Sequence, residues 1–239
     1  MTRPALPDGW RLVEVAETDS TNDEAHRLIA AGAGHGTVVR ADRQSAGRGR
    51  RGRTWVSPPG NLYMSIVADV TAAQAGQLAF VAALAAGDAL AAGGCVRFKW
   101  PNDLMVRGRK AGGILIEADG GFAVVGIGVN VVSAPAETAY PATSLADAGW
   151  PPAAPAVLCA DVAAGFAAWY ARWRSEGFAP VREAWLGRAA GLGGPVTARL
   201  PAATCRGTFR ALDQDGALIL EEADGALRRI AAGDVSLGA

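Results

Sequence analysis

The seven residues Gly47-Arg48-Gly49-Arg50-Arg51-Gly52-Arg53 set the first limit on how this 239-residue chain folds. Residues 47–52 satisfy G-x-G-x-x-G, which in a doubly wound nucleotide-binding fold sits between a strand and a helix. Here the run is followed by Trp55-Val56-Ser57-Pro58-Pro59-Gly60, and two prolines forbid that helix. The Rossmann architecture is therefore rejected and the run reads as a loop. In a loop, glycines let backbone N–H groups approach an anion closely, and arginines supply bidentate donors for carboxylate or phosphate. A solvated basic loop and an RNA-contacting Arg/Gly segment are the alternatives at this point.

Hydrophobic periodicity on either side of the loop describes an α+β chain. Residues 10–15 read as a short strand, and Thr21 with Glu24 three positions on fits a capping box opening a helix that stops at Gly32. Residues 37–40 and 62–70 read as strands, and residues 41–53 as a polar loop. Helical periodicity over residues 72–92 ends in Gly93-Gly94. Short strands follow at 96–100, 104–107 and 113–118, and Asp119-Gly120-Gly121 turns the chain into a fourth at 122–132. Residues 157–175 and 181–188 are helical, the first with Leu158, Val162, Phe166, Trp169 and Trp173 on one face. After residues 191–195 the pattern changes to short strands at 196–200, 205–212, 217–221 and 227–230 joined by Asp-Gly turns, a small all-β unit. The expected organisation is a mixed sheet flanked by helices over residues 1–190 and a β domain over residues 191–239.

Composition excludes several classes of function. Half the residues are apolar, 19% are charged and the formal net charge is zero. That is an ordinary globular balance, and it argues against a surface built throughout to grip nucleic acid. Three cysteines without CxxC spacing and two histidines leave neither a disulfide framework nor a zinc site. Residues 1–10 carry no apolar signal-peptide core, and the most apolar window, 78–92, is too short to span a bilayer, so a cytoplasmic location is expected. Of the 23 basic residues only Lys99 and Lys110 are lysines. In a chain so biased to arginine, positions that keep lysine suggest sites where a compact ammonium is needed and a planar guanidinium does not fit.

Both lysines fall in segments that carry chemistry. Phe98-Lys99-Trp100-Pro101-Asn102-Asp103 places a lysine, an aromatic, an amide and an acid at a strand end, with Pro101 holding Trp100 extended. Lys110-Ala111-Gly112-Gly113 sets a lysine beside paired glycines, a phosphate clamp or else a hairpin turn with a solvated lysine. Gly126-Ile127-Gly128-Val129-Asn130 puts glycines inside an apolar strand, a sign of close approach by a ligand or another backbone. The order of these segments decides among readings. Thr18-Asp19-Ser20-Thr21-Asn22, then Gln44 to Arg53 with Trp55, then Lys99 to Asp103, then Arg109 to Leu115, then Gly126 to Asn130 resemble the catalytic domain of the biotin–protein ligases over about residues 10–180. The tail is similar to that family's small SH3-like C-terminal domain.

The resemblance implies an ATP-dependent ligase that activates biotin as biotinyl-5'-AMP and passes it to a lysine of a biotin carboxyl carrier protein domain of a biotin-dependent carboxylase. It implies a biotin pocket of Ser20, Thr21, Asn22, Gln44 and Gly113, covered by a loop of Gly47, Arg48, Gly49 and Arg50. Lys110, Arg48 and Arg50 take the catalytic roles, with Lys110 between the biotin carboxylate and the ATP α-phosphate. Arg51, Arg53, Trp55, Lys99, Asn102, Asp103 and Asn130 serve ATP, Trp55 near the adenine and Asp103 as the candidate Mg²⁺ ligand. Two anions must meet, so cations that neutralise both and hold them in line lower the barrier, and Mg²⁺ offsets the triphosphate charge. Seventeen residues precede Thr18, too few for the helix-turn-helix unit some family members carry, so a ligase without sequence-specific DNA binding is expected, as monomer or homodimer. A lipoate or octanoate–protein ligase, which shares the fold, is the nearest alternative, and an Arg/Gly nucleic-acid-binding module is the other.

Overall fold

The computed structural model describes residues 6–238 except 137, 139 and 202; the first five residues, half of the segment searched for a signal peptide, lie outside the described residues. Its main sheet comprises Arg11–Thr18 (β1), Thr37–Gln44 (β2), Leu62–Asp69 (β3), Val96–Lys99 (β4), Asp103–Val106 (β5), Arg109–Asp119 (β6) and Phe122–Val129 (β7). Their order is β1-β2-β3-β7-β6-β5-β4. β1 and β2 run parallel, connected through the helix Thr21–Ala30 (α1), and the other neighbours are antiparallel, so the sheet is mixed as expected.

Strand alternation sorts side chains to the two faces of this sheet. Along β3, Leu62, Met64, Ile66 and Ala68 enter the main core with the helices Leu78–Ala89 (α2) and Pro155–Glu176 (α3). Tyr63, Ser65 and Val67 take the opposite face. There α1 covers β2, β3 and β7 through a small cluster of Ala25, Val39, Val67 and Val124. Over β5 and β6 that face is roofed by loops instead, and the cavity described below lies under them.

The helix Phe178–Leu186 (α4) extends the core toward the C-terminus. Its Trp185 stacks on Phe98, and Phe80 meets Trp185 and Phe178 edge-on. A second sheet follows, made of Pro195–Arg199 (β8), Thr204–Leu212 (β9), Leu218–Glu221 (β10), Leu227–Ile230 (β11) and Asp234–Leu237 (β12). It is antiparallel throughout, in the order β11-β10-β9-β8-β12. Phe209, Leu218 and Val235 belong to the same buried cluster as α2 and α3, and the Trp100 indole donates to the Gly216 carbonyl at 3.0 Å, so the β unit is docked on the body.

Several elements differ from the sequence reading, each for a tertiary reason. The N-cap of α1 is Ser20, not Thr21: Ser20 is extended and its side chain accepts from the Asn22 N–H, while the Thr21 N–H is taken by Gln44 Oε1 at 2.8 Å. Residues 41–44 continue β2 because pairing with β1 runs on to Thr18 opposite Gln44. Only the middle of residues 72–92 is α-helix, with 3₁₀ turns at Ala75–Gln77 and Ala91–Gly93. β6 begins at Arg109 rather than Gly113, since Arg109 and Lys110 already pair with β5 across an irregularity in register. On α3, Tyr170 takes the buried position read for Trp169, whose indole turns out to Asp88 at 2.8 Å. β12, four residues paired with β8, has no counterpart among the expected strands. Among the described residues, no helix is long and apolar enough to cross a membrane.

Candidate active site

The cavity, of about 350 Å³, has a floor in which two glycines are required. A Cβ on Gly126 would lie 2.4 Å from Asn22 Oδ1, and one on Gly128 would lie 2.7 Å from the Trp55 ring, closer than non-bonded heavy atoms pack. The close approach read from the glycines in β7 is thus made by two of the chain's own side chains. Trp55 lies across Gly128 with its ring beside Gly113, and its buried indole N–H has no hydrogen-bond partner among the described residues. A buried donor without a partner is a place for a ligand acceptor.

One end of the cavity is neutral and rich in hydrogen bonds. Ser65 on β3 donates to Asn22 Oδ1 at 2.6 Å and lies 2.8 Å from Thr21 Oγ1. Gln44, at the end of β2, receives the Thr21 N–H and donates to Ser57 Oγ at 2.9 Å, which itself donates to the Trp55 carbonyl. The sequence folds this way because the parallel pairing of β1 and β2 brings Gln44 level with Thr18, just where α1 begins. Amides and hydroxyls that both donate and accept can match a neutral cyclic urea or amide.

The other end is cationic. Lys99 and Lys110, the chain's two lysines, reach opposite oxygens of the buried Asp103 at 2.7 and 2.6 Å. Burial alone would raise the Asp103 carboxyl above the usual aspartate value; the charges of Lys110 and Lys99 outweigh it and hold it below. Lys99 also donates to the Val235 carbonyl at 3.1 Å and lies over the Tyr140 ring at 4.6 Å, so it is fixed. Lys110 is the more open of the two, with a quarter of its side chain exposed into the cavity and Trp55 beside it. Two cations against one carboxylate leave this end with positive charge for an anion to neutralise.

The arginine loop closes into a tight hairpin over these parts. Gly49 N–H donates to the Arg53 carbonyl at 2.6 Å and Trp55 N–H to the Gly47 carbonyl at 2.8 Å. Arg51, at φ 58°, takes the left-handed turn at its tip. Arg48 binds Asp23 and spans both oxygens of Glu117 at 3.1 and 3.2 Å, and these carboxylates raise its pKa, the Asp23 hydrogen bond most. Arg50 turns inward to Asn102 Oδ1 and the Gly233 carbonyl, and burial lowers its pKa. Arg51 and Arg53 both bind Asp234 of β12, at 3.1 and 3.0 Å.

Of the residues predicted for the site, all but Gly47 and Arg51 line the cavity. Gly47 is packed under the loop against the Trp55 carbonyl and Gln44, and Arg51 points to Asp234. Asn102 and Asn130 line it from fixed positions, Asn102 donating to the Ile114 carbonyl at 2.6 Å and Asn130 to the Thr143 carbonyl at 3.2 Å. Sequence reasoning missed Ser65, Glu117, Tyr140 and Asp234. Alternation along β3 could have flagged Ser65 as a polar residue in an apolar strand, whereas Asp234 enters from a strand far along the chain with no local signal.

The sequence model described as the biotin/lipoate A/B protein ligase family matches residues 14–131, and that of the biotin protein ligase C-terminal domain matches residues 191–238. The chain is 44% identical over 222 residues to a biotin–[acetyl-CoA-carboxylase] ligase of Paracoccus denitrificans, covering 86% of this chain and 92% of that one. It is 33% identical to the bifunctional ligase/repressor BirA of Bacillus subtilis, covering 96% of this chain and 75% of the relative. Among solved structures it is similar to the biotin protein ligase from Aquifex aeolicus in complex with biotin and ATP, with a TM-score of 0.83, 28% identity and coverage of 95% and 97%.

Proposed function

The chain belongs to the biotin/lipoate A/B protein ligase family, and from that premise we propose that it is a biotin–protein ligase that makes biotinyl-5'-AMP and transfers the biotin to a lysine on the carrier domain of a biotin-dependent carboxylase. The observation that carries this reading is the two-ended cavity. A neutral amide–hydroxyl end of Ser20, Thr21, Asn22 and Gln44 suits the ureido ring of biotin, and the lysine end suits its carboxylate together with the phosphates of ATP.

In the first step a biotin carboxylate oxygen attacks the α-phosphorus, the bond to the bridging oxygen breaks, and pyrophosphate leaves. Lys110 is the cation open to the point where both anions meet, and neutralising them there lowers the barrier. Lys99 and Asn102 line the same end, and Arg50 and Arg53 reach it from the loop. In the second step the neutral amine of the carrier lysine attacks the acyl carbon, AMP leaves with the anhydride oxygen, and the new amide gives up one amine proton to solvent. The arginine loop covers the adenylate between the two steps and keeps water from it.

Asp103 does not fit a resident Mg²⁺, because each of its oxygens already carries a lysine and no group of three acidic, histidine or cysteine side chains placed to hold a metal occurs among the described residues. Mg²⁺ would instead offset the charge of the ATP phosphates themselves. ATP–pyrophosphate exchange, run with biotin, lipoate or octanoate as the acid, tests the function. Exchange that depends on biotin supports it; exchange driven by lipoate or octanoate but not biotin replaces it with the other branch of the family.

A further inference from the structure

We propose that Glu117 is a positioning residue for biotin: one carboxylate outside the cavity wall fixes both Asn22 in the floor and Arg48 in the covering loop. The role rests on the ligase reading above. Alternation along β6 puts Gly113, Leu115 and Glu117 on one face, and Glu117 lies two residues beyond the cavity-lining Leu115. From there it accepts from Asn22 Nδ2 at 2.8 Å.

An ionised carboxylate only accepts, so it selects the amide orientation in which nitrogen faces Glu117 and oxygen faces the Ser65 hydroxyl at 2.6 Å. The missing Cβ of Gly126 makes the room in which the Asn22 amide packs against β7. The same carboxylate receives Arg48 on both oxygens, at 3.1 and 3.2 Å, beside the Arg48–Asp23 contact, and His26 Nε2 stands 3.4 Å from it. Glu117 therefore joins the hydrogen-bonding end of the cavity to the first limb of the loop that closes it. Because it does not line the cavity, its effect passes through Asn22 and Arg48 rather than through contact with the substrate.

The two connections separate by substitution. Glu117→Ala removes both. Glu117→Gln keeps an oxygen that can accept from Asn22 but loses the charge that holds Arg48. In biotin-dependent ATP–pyrophosphate exchange, Glu117→Ala is expected to raise the KM for biotin at least about tenfold with kcat within about threefold of wild type. Glu117→Gln should restore most of that KM while trypsin cuts after Arg48 in the empty enzyme at least about threefold faster than in wild type. In a cycle with Asn22→Ala, the double variant should have the KM of Asn22→Ala alone, because the effect of Glu117 on KM runs through Asn22 while its hold on Arg48 is read by trypsin. Glu117→Met, of similar length, replaces Glu117→Ala if circular dichroism shows that the alanine variant does not fold. A wild-type biotin KM in Glu117→Ala or Glu117→Met, or costs that multiply in the cycle, overturns the role while leaving the ligase reading intact. A wild-type enzyme without biotin-dependent exchange overturns the reading and this role with it.

Discussion

Asp103→Asn should destabilise the fold through Lys99 more than through Lys110. The side chains of Lys99 and Asp103 are 7% and 8% exposed, whereas that of Lys110 is 26% exposed and can turn to water. An asparagine has one carbonyl oxygen for two ammonium groups, and its NH₂ must face one of them. Removing one partner of a buried ion pair costs about 3–5 kcal/mol, because a charge is left buried without compensation. Lys99 keeps the Val235 carbonyl and the Tyr140 ring, which favours the lower end, about 3 kcal/mol. At roughly 2–4 °C per kcal/mol for a chain of this size, the melting temperature should fall by about 6–12 °C at pH 7. Replacing the pair by Lys99→Met with Asp103→Leu should recover much of the loss, since apolar residues of similar volume leave no buried charge. The folded-state pKa of Asp103 lies below its ordinary value, so its stabilisation is complete above the unfolded value of about 3.9 and is lost as pH falls through the folded value. Wild type and Asp103→Asn should accordingly converge in acid. Scanning calorimetry across that range is the assay, and an Asp103→Asn melting temperature within about 2 °C of wild type at pH 7 would refute the electrostatic account.

The remaining predictions concern the cavity and its loop. Lys110→Arg should melt close to wild type yet lower ATP–pyrophosphate exchange at least about tenfold, roughly 1.4 kcal/mol, because a planar guanidinium does not replace a point charge between two anions; wild-type exchange would remove Lys110 from the chemistry. Gly126→Ala sets a methyl 2.4 Å from Asn22 Oδ1, and displacing Asn22 should raise the biotin KM about tenfold at a stability cost of about 1–3 kcal/mol, measured by exchange kinetics and denaturant titration. Asp234→Asn weakens the exposed ion pairs to Arg51 and Arg53, each worth about 0–1 kcal/mol, so trypsin should cut the loop of the empty protein about two- to fivefold faster. Unchanged cleavage would mean that the hairpin's own backbone bonds hold the loop.

The sequence by itself determined the kinds of element and most of the chemistry. Period-two apolar runs and Asp-Gly turns marked the hairpins, two prolines after the glycine–arginine run excluded a nucleotide-binding helix, and the only two lysines pointed to what became the cationic end of the cavity. Local chemistry of that kind is visible because it acts over a few residues. The tertiary structure alone decided what those residues do to one another. Strand pairing carried β2 on to Gln44 and moved the helix cap to Ser20, because the Thr21 N–H found its acceptor 23 residues away. The sheet also brought Glu117 to Asn22 across 95 residues, and β12 brought Asp234 to Arg53 across 181. A charge in the sequence carries no mark of its partner; burial and strand register choose it, and both are properties of the folded chain.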